Sequence, residues 1–283
     1  MSHPRVFPLT LLAMLAFAGN SILCRLALRA TPIDAATFTS IRIVSGAIML
    51  GLITQIKGGG LKAEGNWPSA LALFIYAAGF SFAYIQLSAG TGALLLFGAV
   101  QVTMMGYGFW TGERLKKQQI AGFILALVGL VIFLLPGLSA PPLLSSGLMM
   151  AAGVAWGIYS LRGKTASNPM GMTAGNFLRA VPFTVGLSLS MFSDATLTIT
   201  GCLYAVAAGA VTSGLGYTIW YTALKDLTAT SAATVQLSVP VIAAAGGMLF
   251  LGEHLTLRLF VSSCTILGGI ALAILEKPQT EVT

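Results

Sequence analysis

The chain alternates between long apolar stretches and short polar turns over almost its whole length. A helix needs about 20 apolar residues to cross a bilayer. We predict membrane-spanning helices over residues 6–28, 37–56, 69–88, 91–110, 119–136, 143–163, 171–191, 200–224, 230–250 and 258–276. The stretches are long and uniformly apolar, whereas membrane β-strands are short and alternate, so the pattern predicts an all-α membrane protein.

Helix-breaking residues mark several of the boundaries. Gly58-Gly59-Gly60 ends the second segment, and Pro68 falls in the first turn of the third, where a missing N–H costs nothing. A very short link at Gly90–Gly92 separates the third segment from the fourth. Asn168-Pro169 separates the sixth from the seventh.

Composition excludes a soluble protein. Of the 283 residues, 56% are hydrophobic and only 8% are charged, and the mean hydropathy is +0.88. Soluble domains carry about 25% charged residues, so this chain could not cover itself with a polar surface. The three cysteines lie in apolar segments without metal-like spacing. We therefore expect no disulfide, no metal and no cofactor.

The placement of basic residues predicts the orientation. With the N-terminus inside the cell, ten of the 15 Lys and Arg residues lie on the cytoplasmic side, two lie outside and three lie within segments. This bias follows the positive-inside rule, and we expect both termini to be cytoplasmic. The net charge of +7 is thus an insertion signal, and the expected partner is membrane lipid rather than nucleic acid.

A short motif occurs twice. Gly112-Glu113-Arg114-Leu115 returns 140 positions later as Gly252-Glu253-His254-Leu255, each time before an apolar segment. Gly can supply the left-handed residue that ends one helix, and Glu is favourable at the positive end of the next helix. We interpret both copies as helix-hairpin turns on opposite membrane faces, outside any midplane site.

The repeat extends over the rest of the chain. At an offset of 137 residues Arg25 corresponds to Arg162, and Arg42 to Arg179. Five helices per half give the two halves opposite orientations. The prediction is therefore ten transmembrane helices as two inverted five-helix repeats, residues 1–140 and 141–283. Residues 6–28 also have the apolar core of a signal peptide, but the core is long and the segment has a counterpart in the repeat.

Two five-helix halves, the short third-to-fourth link and the Gly-Glu-x-Leu turn resemble the drug/metabolite transporter superfamily of the EamA type. The resemblance covers nearly the whole chain, and it is strongest to exporters of aromatic amino acids and methyl viologen. It implies an exporter of small metabolites in the bacterial inner membrane. It also implies a central cavity between the halves, with the fifth and tenth helices at the periphery.

None of the acidic residues or histidines lies near the middle of a predicted segment. Proton-driven carriers usually keep such a group at membrane depth. We therefore expect an uncoupled facilitator, with proton antiport as the alternative. The same observation disfavours an enzyme, because no set of acid, base and nucleophile lies at one depth.

Polar and aromatic residues near the midplane are the candidates for substrate binding. Aromatic faces bind flat or cationic ligands, and buried amides and hydroxyls in a bilayer need partners. Each residue alone is as well explained by interhelical packing, but as a group they fit a cavity lining. They are Asn20, Tyr76, Tyr84, Gln101, Trp156, Tyr159, Tyr217 and Gln236.

Arg42 and Arg179 lie within predicted segments at mirrored positions. Such arginines either reach the nearest interface or helix-end carbonyls, or bind a substrate carboxylate. One substrate cannot use both, so the mirrored positions favour the first interpretation. Pro182 and Pro240 lie within segments without proline counterparts in the repeat, and they serve either as hinges or as static bends.

The expected function is export of small amphipathic molecules by a monomeric carrier with alternating access. Aromatic amino acids and flat organic cations are the leading substrates by resemblance. An exporter of another metabolite class driven by proton antiport is the alternative. A channel is disfavoured, because a pore would require a ring of like polar groups.

Overall fold

The computed structural model describes residues 6–56, 64–110, 117–135, 140–163, 168–224, 235–236 and 238–274, and no strand occurs in these ranges. The helices are α1 (Val6–Ala30), α2 (Ala35–Ile56), α3 (Trp67–Tyr84), α4 (Ala89–Trp110), α5 (Lys117–Leu134), α6 (Leu143–Gly163), α7 (Pro169–Ser190), α8 (Ile199–Val206), α9 (Gly216–Leu224), α10 (Ser238–Leu251) and α11 (Leu257–Ile274). A π-helical segment, Ala207–Leu215, joins α8 to α9, and Phe192–Asp194 form a single 3₁₀ turn.

Six helical runs in the described ranges are long and apolar enough to cross a membrane. They are Phe7–Ala30, Ala35–Ile56, Trp67–Tyr84, Ala89–Tyr107, Leu143–Gly163 and Ile199–Ala223. Shorter apolar helices cover Ile120–Leu134, Ser238–Leu251 and Leu257–Leu272. Large apolar side chains such as Leu189 and Leu249 are 70% and 80% exposed, which suits a surface that faces lipid. The chain is thus an all-helical, multi-pass membrane protein.

Two predicted helix starts are confirmed. The Asn66 side chain accepts the Ser69 N–H at 2.9 Å and caps α3, with Pro68 in the first turn. Asn168 caps α7 in the same way through the Gly171 N–H at 3.1 Å, and Pro169 is the first helical residue. Both starts combine an Asn cap with a proline that has no N–H to satisfy.

The link between the third and fourth helices is short, as predicted, but it lies at residues 85–88 rather than at Gly90–Gly92. Helix α3 ends at Tyr84 and α4 already begins at Ala89, so the three residues form the first turn of α4. Helix α4 begins earlier than predicted because Ser88 caps it: the Ser88 hydroxyl accepts the Thr91 N–H at 3.2 Å. Gly92 is required for a different reason, since a Cβ there would overlap the Tyr84 ring.

The second Gly-Glu-x-Leu turn agrees with the prediction in one respect and corrects it in another. Gly252 has φ +63° and ends α10 in the left-handed conformation, as expected. The Glu253 carboxylate, however, caps the start of α4 rather than that of α11, because its Oε2 accepts the Ala89 N–H at 2.8 Å. The first copy of the motif begins at Gly112 and lies outside the described residues.

The helices pack in pairs around the middle of the molecule. Helix α6 packs on α3 and α4, α1 packs on α10 and on the α8-to-α9 run, and α2 packs on α7 and the π segment. Helix α5 packs mainly on α11. This arrangement leaves a small space between α1, α3, α4, α6 and the π segment.

Candidate functional site

A small, largely enclosed cavity lies at the centre of the helix bundle. About 20 Å³ is open to the centre of a water molecule, which is little more than one water requires. An amino acid could enter only after the surrounding helices move apart. The lining residues are Phe17, Asn20, Ser21, Tyr76, Phe80, Leu96, Phe97, Trp156, Thr212, Ser213 and Tyr217.

Four of the eight predicted binding residues line this cavity, namely Asn20, Tyr76, Trp156 and Tyr217. The other four do not, because depth along a helix does not say which face a side chain occupies. Tyr159 is buried behind Trp156, Tyr84 is buried near the end of α3, Gln101 is buried in α4, and Gln236 is half-buried in the short helical stretch 235–236.

Trp156 is the centre of an aromatic cluster. Its ring centroid lies 4.7 Å from that of Tyr76, 5.2 Å from that of Tyr217 and 5.5 Å from that of Tyr159. Phe17, on α1, meets Tyr217 edge-on at 6.0 Å. Several ring faces and edges thus surround one space, which favours a planar group as occupant.

A chain of hydrogen bonds crosses the same space from α2 to the π segment. Arg42 Nη2 donates to Tyr76 Oη at 2.9 Å, and Asn20 Nδ2 donates to the same oxygen at 3.2 Å. Thr212 Oγ1 lies 3.3 Å from Asn20 Oδ1 and hydrogen-bonds to it. Four elements thus contribute to one polar network, and three of its members line the cavity.

Arg42 is a residue for which the sequence favoured one of two interpretations, and the structure contradicts that one. Its side chain is 1% exposed, so it does not reach an interface. Its guanidinium carbon lies 5.2 Å from the Tyr76 ring centroid and 4.9 Å from that of Phe80. In the described part of the chain, neither Nε nor Nη1 has a hydrogen-bond acceptor. The favoured interpretation, in which the Arg42 side chain reaches an interface or pairs with helix-end carbonyls, was therefore wrong.

Arg179 behaves as predicted, although it corresponds to Arg42 at an offset of 137 residues in the sequence. Its Nη1 donates to the backbone carbonyls of Glu64 at 2.9 Å and Gly175 at 3.1 Å. The mirrored sequence positions concealed a difference in environment. The extent of burial, rather than the sequence position, distinguishes the two arginines.

The π segment is a second feature that was not predicted. Thr212 and Ser213 lie on it, and both hydroxyls hydrogen-bond to the Ala208 carbonyl. Gly209 allows the segment to touch α2, since a Cβ there would overlap the Arg42 carbonyl and the Ser45 hydroxyl. π-Helical turns are rare and occur often at functional sites. The nearby glycines were the available sequence signal.

The two prolines proposed as hinges lie in helical backbone. Helix α7 continues across Pro182. Pro240 is the third residue of α10 as described, and Val235 and Gln236 before it are helical as well. Neither proline lines the cavity.

Two arginines that correspond at an offset of 137 residues in the sequence bind the two ends of α3. At its start, Arg162 Nη2 donates to Asn66 Oδ1 at 3.1 Å. At its end, Arg25 Nη1 donates to the Tyr84 carbonyl at 2.9 Å, and Arg25 Nε pairs with Glu253 Oε1 at 3.2 Å. No three metal-ligating side chains cluster within the residues that the structure describes. The side chains at the cavity offer stacking, hydrogen bonding and, in Arg42, one buried positive charge.

Comparison with known proteins agrees with this architecture. Residues 144–275 match the model of the EamA-like transporter family. An uncharacterized protein of Pseudomonas aeruginosa is 53% identical over 98% of this chain and 97% of its own. A chain of known crystal structure is 18% identical and superposes with a TM-score of 0.68 over 97% of this chain and 98% of its own, which shows a shared fold.

Several relatives have functional names. The probable amino-acid metabolite efflux pump of Escherichia coli is 27% identical over 74% of this chain and 76% of its own length. The threonine/homoserine exporter RhtA of Salmonella typhimurium is 30% identical over 55% of each chain. With its helical membrane fold and its central cavity, the chain belongs to the EamA-like transporter family of the drug/metabolite transporter superfamily.

Proposed function

We propose that this transporter exports amino acids with an aromatic side chain from the bacterial cytoplasm across the inner membrane. The observation that carries the proposal is the cavity wall, where the Trp156 cluster adjoins the hydrogen-bonded chain from Arg42 to Thr212. A ring and a polar backbone group on one substrate would match these two surfaces. The names of the Escherichia coli and Salmonella relatives support amino acids as the class.

Flat organic cations such as methyl viologen are the second candidate. The observation in their favour is the number of ring faces around the cavity, since cations bind to aromatic faces. The resemblance to exporters of aromatic amino acids and methyl viologen does not favour one of these two substrate classes over the other. The buried positive charge of Arg42 favours amino acids over cations.

The architecture that we propose is ten transmembrane helices in two inverted repeats, residues 1–140 and 141–283. Packing supports it, because α6 lies against α3 and α4 while its counterpart α1 lies against the α8-to-α9 run and α10. Equivalent helices therefore have equivalent neighbours.

Alternating access is the proposed mechanism. A cavity of about 20 Å³ cannot hold an amino acid, so binding requires one side of the bundle to open. Pro182, Pro240 and the π segment are the proposed points of bending. The protein acts as a monomer with both termini cytoplasmic.

We propose facilitated export without proton coupling. The described carboxylates lie away from the cavity, and Glu253 is already paired with Arg25. Proton antiport by another arrangement is the alternative, and it predicts a flux that depends on the pH gradient.

Counterflow in proteoliposomes tests the proposal. The purified full-length chain is reconstituted, and uptake of labelled phenylalanine and threonine is measured with and without unlabelled amino acid inside. A carrier shows trans-acceleration and saturation. Linear flux without trans-acceleration would indicate a channel and refute alternating access. A fixed ratio of protons to substrate would refute the uncoupled mechanism.

A further inference from the structure

Arg42 is a buried positive charge one side-chain layer away from the central cavity. Its guanidinium lies over the rings of Tyr76 and Phe80, and both rings line the cavity. The ion pair that occurs within the described ranges uses Arg25 and Glu253, not Arg42. The charge of Arg42 is therefore not neutralised by a described carboxylate.

An uncompensated charge in this position is costly. Removing a cation from water costs several kcal/mol unless a counter-charge and hydrogen bonds replace the lost hydration. The two aromatic faces replace only part of it, and Nε and Nη1 of Arg42 have no acceptor among the described residues. A packing role alone would not require a guanidinium, because an apolar side chain could fill the same volume at lower cost.

Tyr76 connects Arg42 to the cavity. Its oxygen accepts hydrogen bonds from Arg42 Nη2 at 2.9 Å and from Asn20 Nδ2 at 3.2 Å. Its own hydroxyl proton has no acceptor within the described ranges. Tyr76 is thus a hydrogen-bond donor on the cavity wall whose oxygen is held by a cation and an amide.

We propose that Arg42 and Tyr76 form the subsite for the carboxylate of the transported molecule. A carboxylate near Tyr76 would accept the free hydroxyl proton and supply the counter-charge that Arg42 lacks. The inference rests on the proposed amino-acid export, and it names the group that the cavity recognises.

The same geometry argues against flat organic cations. The rings that would bind such a cation, Tyr76 and Phe80, already face the guanidinium of Arg42. A second positive charge in this poorly hydrated space would be repelled by the first. Amino acids should therefore be preferred over amines that carry the same ring and lack the carboxylate.

A competition experiment with matched ligands measures this preference. Counterflow of labelled phenylalanine in proteoliposomes is inhibited with phenylalanine or with phenethylamine, which has the same ring and amine but no carboxylate. For the unmodified chain we expect phenethylamine to inhibit at least about tenfold less well, since a charge-assisted hydrogen bond is lost. In Arg42→Gln the difference should fall below about threefold, whereas Arg42→Lys should keep most of it.

Two further variants make the test specific. Arg29→Gln is the control, because Arg29 is exposed and, among the described residues, its side chain donates to the Leu251 carbonyl alone. The substrate preference of this variant should be unchanged. Tyr76→Phe removes the hydroxyl and retains the ring, so it carries the test if Arg42→Gln does not reach the membrane. It should also reduce the preference severalfold.

The outcomes separate the inference from the proposed function. If threonine is carried but phenylalanine is not, the proposed aromatic substrate is wrong. The preference for a carboxylate can then be measured with threonine and 1-amino-2-propanol, which is threonine without its carboxylate. An unchanged preference in Arg42→Gln and Tyr76→Phe refutes the subsite and leaves amino-acid export intact. Equal inhibition by amine and amino acid in the unmodified chain refutes it as well. A chloride requirement that disappears in Arg42→Gln, with the preference unchanged, would assign the charge to an inorganic anion instead.

Discussion

Arg25 and Glu253 form an ion pair with 3.2 Å between Nε and Oε1, although 228 residues separate them in the chain. Their side chains are 12% and 8% exposed. The other carboxylate oxygen accepts the Ala89 N–H, and Arg25 also holds the end of α3 through the Tyr84 carbonyl. One carboxylate therefore joins α1, the start of α4 and the turn after α10.

Breaking this pair should destabilise the protein. Glu253→Gln leaves Arg25 without its counter-charge, and the loss of one partner of a buried pair costs about 3 kcal/mol. We expect the double variant Arg25→Gln/Glu253→Gln to unfold close to the less stable single variant, with a coupling of about 1–3 kcal/mol. Thermal unfolding in detergent measures all three variants. Glu64→Gln is the control, because among the described residues the Glu64 carboxylate accepts one exposed hydrogen bond, at Oε1 from Asn168. Additive losses would show that the two residues do not interact.

Trp156 and Tyr159 should respond differently to substitution, although both were predicted to bind substrate. Trp156→Ala removes the centre of the aromatic cluster from the cavity wall, and we expect export to fall about tenfold at equal membrane levels. Tyr159→Phe keeps the ring behind Trp156 and should leave export unchanged. Accumulation of phenylalanine outside overexpressing cells measures both. Full export by Trp156→Ala would place the substrate elsewhere.

The sequence predicted the parts of the fold that depend on local properties. The length of the apolar stretches predicted where helices lie. The positions of Pro68 and Asn168-Pro169 predicted two helix starts, because capping depends on a few neighbouring residues. The π segment could not be predicted in this way. It depends on the contact of Gly209 with the backbone of α2, which no local pattern encodes.

The candidate site was half predicted for a similar reason. Hydrophobic depth selected Asn20 and Tyr76, which line the cavity, but it selected Tyr84 as well, which is buried away from the cavity. In an almost uniformly apolar helix, neither periodicity nor polarity distinguishes the face toward the cavity from the face toward a neighbouring helix. Arg42 was misinterpreted because residues at corresponding sequence positions, such as Arg42 and Arg179, can have different environments.

Two glycines on α7 offer a matched test of the packing. A Cβ at Gly175 would overlap the carbonyl oxygen of Glu64, which also accepts a hydrogen bond from Arg179. Gly175→Ala should therefore lower the unfolding temperature and separate the segment around Glu64, which precedes α3, from α7. A Cβ at Gly186 meets no atom within 4 Å, so Gly186→Ala should stabilise the helix by up to about 1 kcal/mol. Thermal unfolding in detergent compares the two variants, and equal effects would contradict the close contact at Gly175.

Asp34 should make the stability depend on pH. Its Oδ1 accepts the Thr37 N–H and its Oδ2 accepts the Thr196 N–H, both at 2.8 Å, so it joins the start of α2 to the segment before α8. Burial by itself would raise the pKa of this carboxyl, but the hydrogen bonds from Thr37 and Thr196 outweigh it, and the pKa lies below its ordinary value.

A carboxyl with a lowered folded-state pKa stabilises the fold above its unfolded pKa of about 3.9, and the stabilisation is lost as the pH falls through the folded-state value. Asp34→Asn should therefore unfold at a lower temperature than the unmodified chain at pH 7, and the difference should shrink as the pH drops below about 4. Asp194→Asn serves as the control, because that side chain is exposed and accepts no hydrogen bond from the described residues. A difference for Asp34→Asn that stays constant from pH 7 to below pH 4 would show that the carboxylate charge does not stabilise this junction.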